Sequence, residues 1–203
     1  MPKSIQELTD LIAELPGLGP RQARRIVQYL LRANPGYKKK LTDGIGALSA
    51  HVIECERCHR FDEAASGKLC RICADSARDT GTLMVVEKDV DLEGVEASGV
   101  YRGQYFVLGS LMPLARQRRS ASPIRTEALL RRLKGETPDE IILAFATTPE
   151  GDFTAHELKT KIAGEVSGAK ITILGRGLSL GAEIEYADQE TLRSALQGRR
   201  EEF

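Results

Sequence analysis

The chain has 203 residues, 29 Lys+Arg against 29 Asp+Glu, and a hydrophobic fraction of 41%, values that suit one large globular domain or two small ones. No run reaches the roughly 18–20 apolar residues of a membrane-spanning helix, and the start MPKSIQELTD has no apolar signal core, so a cytoplasmic protein is expected. Zero net charge excludes a uniformly basic surface but not local ones: residues 1–50 hold eight Lys/Arg against four Asp/Glu, and residues 113–134 hold seven against Glu127 alone.

Ser4-Ile5-Gln6-Glu7 fits a capping box that opens a first helix, with Leu8, Leu11, Ile12 and Leu15 on one face. Pro16-Gly17-Leu18-Gly19-Pro20 stops it. A second helix carries Ala23, Ile26, Val27, Leu30 and Leu31 as its stripe and is predicted to end at Asn34-Pro35-Gly36. A third runs through Leu41, Ile45, Leu48 and Val52 despite Gly44 and Gly46. Residues 1–53 therefore form a small helical unit.

The junction LPGLGPRQARR has the makings of a phosphate-binding hairpin. Gly17 and Gly19 permit close backbone approach, and the next helix presents N–H groups at its start. Arg21 and Arg25 lie four apart on one face, with Arg24 beside them, and add charge-assisted contacts. Such contacts hold the sugar–phosphate backbone and read no sequence. The alternative is a plain αα-hairpin with a Gly-rich turn.

Residues 54–76 carry all four cysteines, as Cys55-Glu56-Arg57-Cys58 and, eleven residues later, Cys70-Arg71-Ile72-Cys73. Two CxxC knuckles let four thiolates converge tetrahedrally on one Zn²⁺, and a site with four sulfur ligands is structural. A redox role needs only one pair, and disulfides are rare in chains without an export signal. His51 and His59 flank the module and are read as surface residues.

From residue 82 the pattern changes. Apolar runs at 82–87, 104–109, 140–146 and 170–174 read as strands buried on both faces, as parallel strands are. Helices are predicted at 122–134, 153–167 and 188–197, giving an α/β fold. The first strand, in TLMVVEKDVD, runs into Glu87, Asp89 and Asp91; Glu150 and Asp152 follow another. Carboxylates at the carboxyl ends of strands suit Mg²⁺, while acids that merely cap strand and helix ends are the alternative. Residues 171–187 have spaced glycines but no Lys-Ser/Thr, so they form no Walker loop.

These parts carry resemblances. LPGLGP with its basic followers resembles the helix-hairpin-helix motif of repair proteins, and the strand-end acids resemble the Toprim domain, although Glu-Gly-Asp stands where Toprim enzymes usually carry Asp-x-Asp. In order, LPGLGPRQARR, CERC…CRIC, MVVEKDVDLEGVEASGVYRGQYFVLGS, TPEGDFTA and EYADQETLRSALQGRR resemble the bacterial RecR family of recombination mediators over essentially the full chain. The resemblance implies a helix-hairpin-helix region at 1–53, a four-cysteine zinc finger at 54–76, a Rossmann-like parallel-sheet Toprim domain at 79–174 and a C-terminal oligomerisation segment at 175–203.

It implies a cytoplasmic, nucleoid-associated, non-enzymatic protein, active as a ring-shaped dimer or tetramer assembled through its N-terminal helices and its C-terminal segment. Such a protein binds single- and double-stranded DNA and acts with RecO and RecF to load RecA at single-stranded gaps. Zn²⁺ would be structural and Mg²⁺ at the Toprim acids an open question. Glu87, Asp91, Glu150 and Asp152 would face RecO, whereas Asp89 does not match the family positions. One departure is MPLARQRRSASPI, whose Arg116, Arg118 and Arg119 replace a Gly/Pro-rich loop. The alternative function is a small Mg²⁺-dependent Toprim nuclease. A topoisomerase or a primase would need further domains.

Overall fold

The computed structural model describes residues 2–114, 124–166 and 168–199, and the chain divides between Val52 and Ile53 into two compact units. The first contains α1 (Lys3–Ala13), α2 (Pro20–Arg32) and α3 (Pro35–His51), with α1 packed on α2. Ala23 and Val27 of α2 are buried with Thr9 of α1, whose hydroxyl donates to the Ile5 carbonyl at 2.7 Å and so stays satisfied.

One expectation fails here, and another holds but is incomplete. The capping box is not formed: Ser4 lies inside α1, and Pro2 is the N-cap, its carbonyl accepting from the Ile5 and Gln6 amides at 3.1 and 3.2 Å. Proline, with φ fixed at −54°, starts the helix before the serine is reached. Asn34-Pro35-Gly36 also starts a helix rather than only ending one. Asn34 accepts from the Gly36 amide at 2.7 Å and Pro35 takes the first helical position.

In the second unit, β1 (Val52–Glu54) pairs with β2 (Phe61–Glu63), and a one-turn α4 (Arg71–Ala74) follows. Then come β3 (Thr82–Val86), α5 (Asp89–Ser98), β4 (Gln104–Val107), α6 (Thr126–Gly135), β5 (Glu140–Ala144), α7 (Pro149–Glu165) and β6 (Lys170–Ile173). A 3-10 turn at Ile184–Tyr186 and α8 (Gln189–Gln197) complete the described chain. The four larger strands form one parallel sheet in the order β4-β3-β5-β6, as the continuous apolar runs require.

Alternation along β3 sorts the core into two layers. Leu83 and Val85 face Leu129 and Leu133 of α6 and Leu158 and Ile162 of α7. Met84 and Val86 face the opposite way, onto Leu92 of α5 and the four cysteines. The cysteine module is therefore the lid of one sheet face. Helix α5 was not legible in the sequence: Leu92 is its single buried residue, and Asp89, Asp91, Glu93 and Glu96 interrupt any apolar stripe. No described helix is long and apolar enough to cross a membrane.

The basic residues Arg116, Arg118 and Arg119 lie outside the described residues, as does the start of the helix expected at 122–134; α6 begins at Thr126. Much of the remaining positive charge in 113–134 is spent internally rather than offered to an anion. Arg132, with its side chain 7% exposed, donates to the carbonyls of Arg57 and Tyr105 and to Glu136. Arg125 pairs with Glu54 at 3.1 Å and Lys134 with Glu165 at 2.6 Å.

Candidate functional site

Three groups of side chains stand out. The first is the α1–α2 hairpin. Gly17 has φ +77°, a left-handed conformation that favours glycine, whereas Gly19 is extended at φ −97° and serves as the N-cap of α2. A Cβ at Gly19 would meet only Gln22 Oε1, at 3.1 Å. No side chain caps α2, and Pro20 has no N–H to offer. The turn is closed by Leu18 donating to Leu15 at 3.1 Å, and the Ala23 amide returns to the Gly19 carbonyl at 2.9 Å. The Arg21 and Gln22 amides at the helix start are left for an outside acceptor. Arg21, Arg24 and Arg25 are exposed, and α2 contains no acidic residue.

The second group is the cysteine quartet. The ligand atoms of Cys55, Cys58, Cys70 and Cys73 all lie within 4.8 Å of one another, and all four residues are buried. The thiols are free, with Cys58 and Cys70 sulfurs 3.6 Å apart, beyond a disulfide bond. The backbone preorganises two of them: the Cys70 amide donates to Cys55 Sγ at 3.4 Å, and the Cys73 amide to Cys70 Sγ at 3.5 Å. Contact with the other three sulfurs lowers the Cys55 thiol, while Cys58 and Cys73 are pushed up, chiefly by Cys55. Four convergent sulfurs with N–H donors behind them fit a tetrahedral Zn²⁺, which would carry the charge of all four as thiolates.

Neither neighbouring histidine joins this group. His51 ends α3 and is exposed. His59 binds Glu54 through Nδ1 at 2.8 Å and sets its ring edge-on to Phe106, centroids 5.2 Å apart. The module is fixed to the sheet by the Val107 amide donating to the Cys58 carbonyl at 2.8 Å and by Arg57, whose Nε reaches Glu136 at 2.9 Å. Burial raises the Glu136 carboxyl, but Arg57 and Arg132 outweigh it and hold the group below its ordinary range.

The third group is the acids at the carboxyl edge of the sheet. Strands β3 and β5 are neighbours, with Val86 opposite Ala144, and the chain leaves them in different directions because β4 and β5 flank β3. That is the switch point where open α/β sheets place their sites. Glu87 follows β3 directly and pairs with Lys88 at 3.0 Å. Asp91 accepts from the Lys88 amide at 3.0 Å, closing the first turn of α5. Glu150 and Asp152 occupy the first turn of α7, on the loop that leaves β5.

The acids do not form a metal cage. Among the described residues, only the cysteine quartet brings three or more His, Cys, Asp or Glu ligand atoms together. Asp152 is held by Arg176 in a two-pronged ion pair. That arginine was not singled out from the sequence, because 24 residues separate it from its partner; the only signal was its place between two glycines in GRG. The glycine between the two acids also has a cause. A Cβ at Gly151 would lie 2.0 Å from the Ala146 carbonyl oxygen, so any side chain there collides with the loop backbone.

Comparison with known proteins agrees with this geometry. A Toprim domain family model matches residues 81–175 and a "RecR, C-terminal" model matches residues 177–200. The chain is 39% identical over 202 residues to "Recombination protein RecR" of Roseiflexus castenholzii, covering 99% of this chain and 95% of the relative. The chain belongs to the RecR family. Recombination protein RecR of Cereibacter sphaeroides is 38% identical over 199 residues, 98% of this chain and 97% of the relative. That of Chloroflexus aurantiacus is 39% identical over 198 residues, 97% and 94%. Membership of the RecR family supports a role as a recombination mediator.

Proposed function

We propose that this RecR-family chain is a non-catalytic, DNA-binding mediator. As a dimeric or tetrameric ring in the cytoplasm, at the nucleoid, it acts with RecO and RecF to load RecA onto single-stranded gaps. Its 1–53 region holds DNA, the 54–76 finger holds zinc, the 79–174 Toprim domain docks RecO, and 175–203 closes the ring. Gly17 and Gly19 let the backbone come close, and the Arg21 and Gln22 amides, with the side chains of Arg21, Arg24 and Arg25, grip phosphates. Glu87, Asp91, Glu150 and Asp152 present a negative edge to a basic surface of RecO.

The observation that carries the non-catalytic reading is the state of the acids. In two-metal or one-metal phosphoryl chemistry the carboxylates converge on the ion. Here Asp91 is used as a helix cap, Glu87 faces Lys88 and Asp152 is neutralised by Arg176. Zinc at Cys55, Cys58, Cys70 and Cys73 would hold the lid of the sheet in place and supply no open coordination position.

The test is incubation with single- and double-stranded DNA and RNA in Mg²⁺ or Mn²⁺. Intact nucleic acid at protein excess is expected. Cleavage that disappears in Glu87→Ala would establish the alternative, a small Toprim nuclease.

A further inference from the structure

Aromatic residues are scarce in this chain: five Tyr, five Phe and no Trp. Two of the tyrosines, Tyr29 on α2 and Tyr37 on α3, nevertheless stand exposed together on the small helical unit. Their rings meet edge to face with centroids 6.0 Å apart. Tyr29 leaves 60% of its surface in solvent. A bulky aromatic is ordinarily covered, or else it marks a contact surface.

The surroundings of Tyr29 say what kind of contact. Arg21, Arg25 and Tyr29 follow one another at helical spacing of four, with Arg24, Gln28 and Arg32 alongside, and together they make up one face of α2. Eight residues of helix separate Arg21 from Tyr29, about 12 Å along the axis. At the roughly 3.4 Å axial spacing of stacked nucleotides, that is a few nucleotides of one strand. A row of guanidiniums leading to an exposed ring is the composition of a single-strand track: charge for phosphates and a flat face for a base. In a duplex the bases are stacked on each other and no free face reaches such a ring.

We infer that Tyr29, held by Tyr37, is a base-stacking platform that makes α2 a site for single-stranded DNA rather than for phosphate backbone alone. This rests on the DNA-binding reading above and adds to it a source of strand preference. Arg21 and Arg25 supply affinity common to both strand forms, and Tyr29 supplies the part that only an unpaired base can use.

The experiment titrates the full-length protein against labelled oligothymidylate, an abasic oligonucleotide of the same length, and a duplex. Wild type, Tyr29→Phe, Tyr29→Ala and the Arg21→Glu/Arg25→Glu double variant are compared, with oligomer size followed by light scattering. Tyr29→Ala is expected to lose about ten-fold in affinity for oligothymidylate. Its affinity for the abasic strand and the duplex should be unchanged, and Tyr29→Phe should bind as wild type. Equal binding of oligothymidylate by Tyr29→Ala and wild type would overturn the inference. So would an equal loss on all three ligands, or a change in oligomer size, which would make Tyr29 a packing residue. A wild type that binds none of the three would remove the DNA-binding reading itself. An arginine double variant that loses all three while Tyr29→Ala loses none would leave that reading intact and sink only the stacking role.

Discussion

Arg176 embraces Asp152 from 24 residues away, tying the start of the C-terminal segment to the first turn of α7. The pair raises the affinity of Arg176 for its proton and occupies one of the four strand-end acids. Glu150, two residues earlier, has no ion-pair partner among the described residues. The two acids of Glu-Gly-Asp are thus unequal.

That inequality predicts an order of effects. Glu150→Ala should weaken capture of RecO more than Asp152→Ala, since Asp152 already spends its charge within the chain. A double-mutant cycle between Asp152→Ala and Arg176→Ala, read from urea melts, should give a coupling of about 0.5–1 kcal/mol, as expected for a partly exposed bidentate pair. Zero coupling would mean that the pair does not form in solution.

Asp89 does not serve as a neutral control for Asp91. It accepts a hydrogen bond from the Phe61 amide at 2.8 Å, stitching α5 to the cysteine module. Asp89→Ala should cost about 0.5–1 kcal/mol in stability, because the exposed Phe61 amide loses a charged acceptor but can turn to water. Its RecO affinity should stay unchanged, while Asp91→Ala lowers it. Calorimetric melting and a binding titration on the same samples separate the two effects.

Acid sensitivity should trace to Glu96. Burial raises its carboxyl, but Arg78 and then the Tyr105 hydroxyl, 2.7 Å away, outweigh it, so the folded value lies below the ordinary 4.5. A depressed carboxyl contributes stability that is present above 4.5 and lost as pH falls towards the folded value. Melting temperature should therefore drop below about pH 4.5, and the drop should be shallower in Glu96→Gln. An unchanged acid limb in that variant would remove Glu96 from the explanation.

Removing the metal should unfold more than the finger. The cysteines pack with Met84, Val86, Tyr105 and Val107 of the sheet, so Cys55→Ser or Cys70→Ser is expected to cost on the order of 4 kcal/mol. The sheet should lose protection in hydrogen exchange along with the module. Elemental analysis should find a single zinc ion per chain. Full protection of β3 and β4 after complete chelation would contradict a structural metal.

The parallel sheet was legible because four apolar runs admit no other placement, and the cysteine convergence because CxxC spacing dictates it. What escaped the sequence depends on distant partners. Arg132 counted as one of a basic cluster, yet it is buried against Arg57 and Tyr105 carbonyls. Asp89 looked idle until Phe61 came beside it, and nothing in the sequence marked Gly151 as the residue whose Cβ position the Ala146 carbonyl fills. Helix α5 was hidden by its own acids. Local pattern fixes elements, whereas charge pairing is set by the fold.

RecA nucleation on gapped DNA coated with single-strand binding protein, in the presence of RecO, tests the mediator role most directly. Wild type should shorten the lag before filament growth and leave the DNA intact. The Glu87→Ala/Glu150→Ala double variant should bind DNA as wild type does but leave the lag as long as without the protein. A double variant that shortens the lag as well as wild type, or a wild type that degrades the DNA in Mg²⁺, would contradict a mediator that works by docking its partner on the Toprim acids.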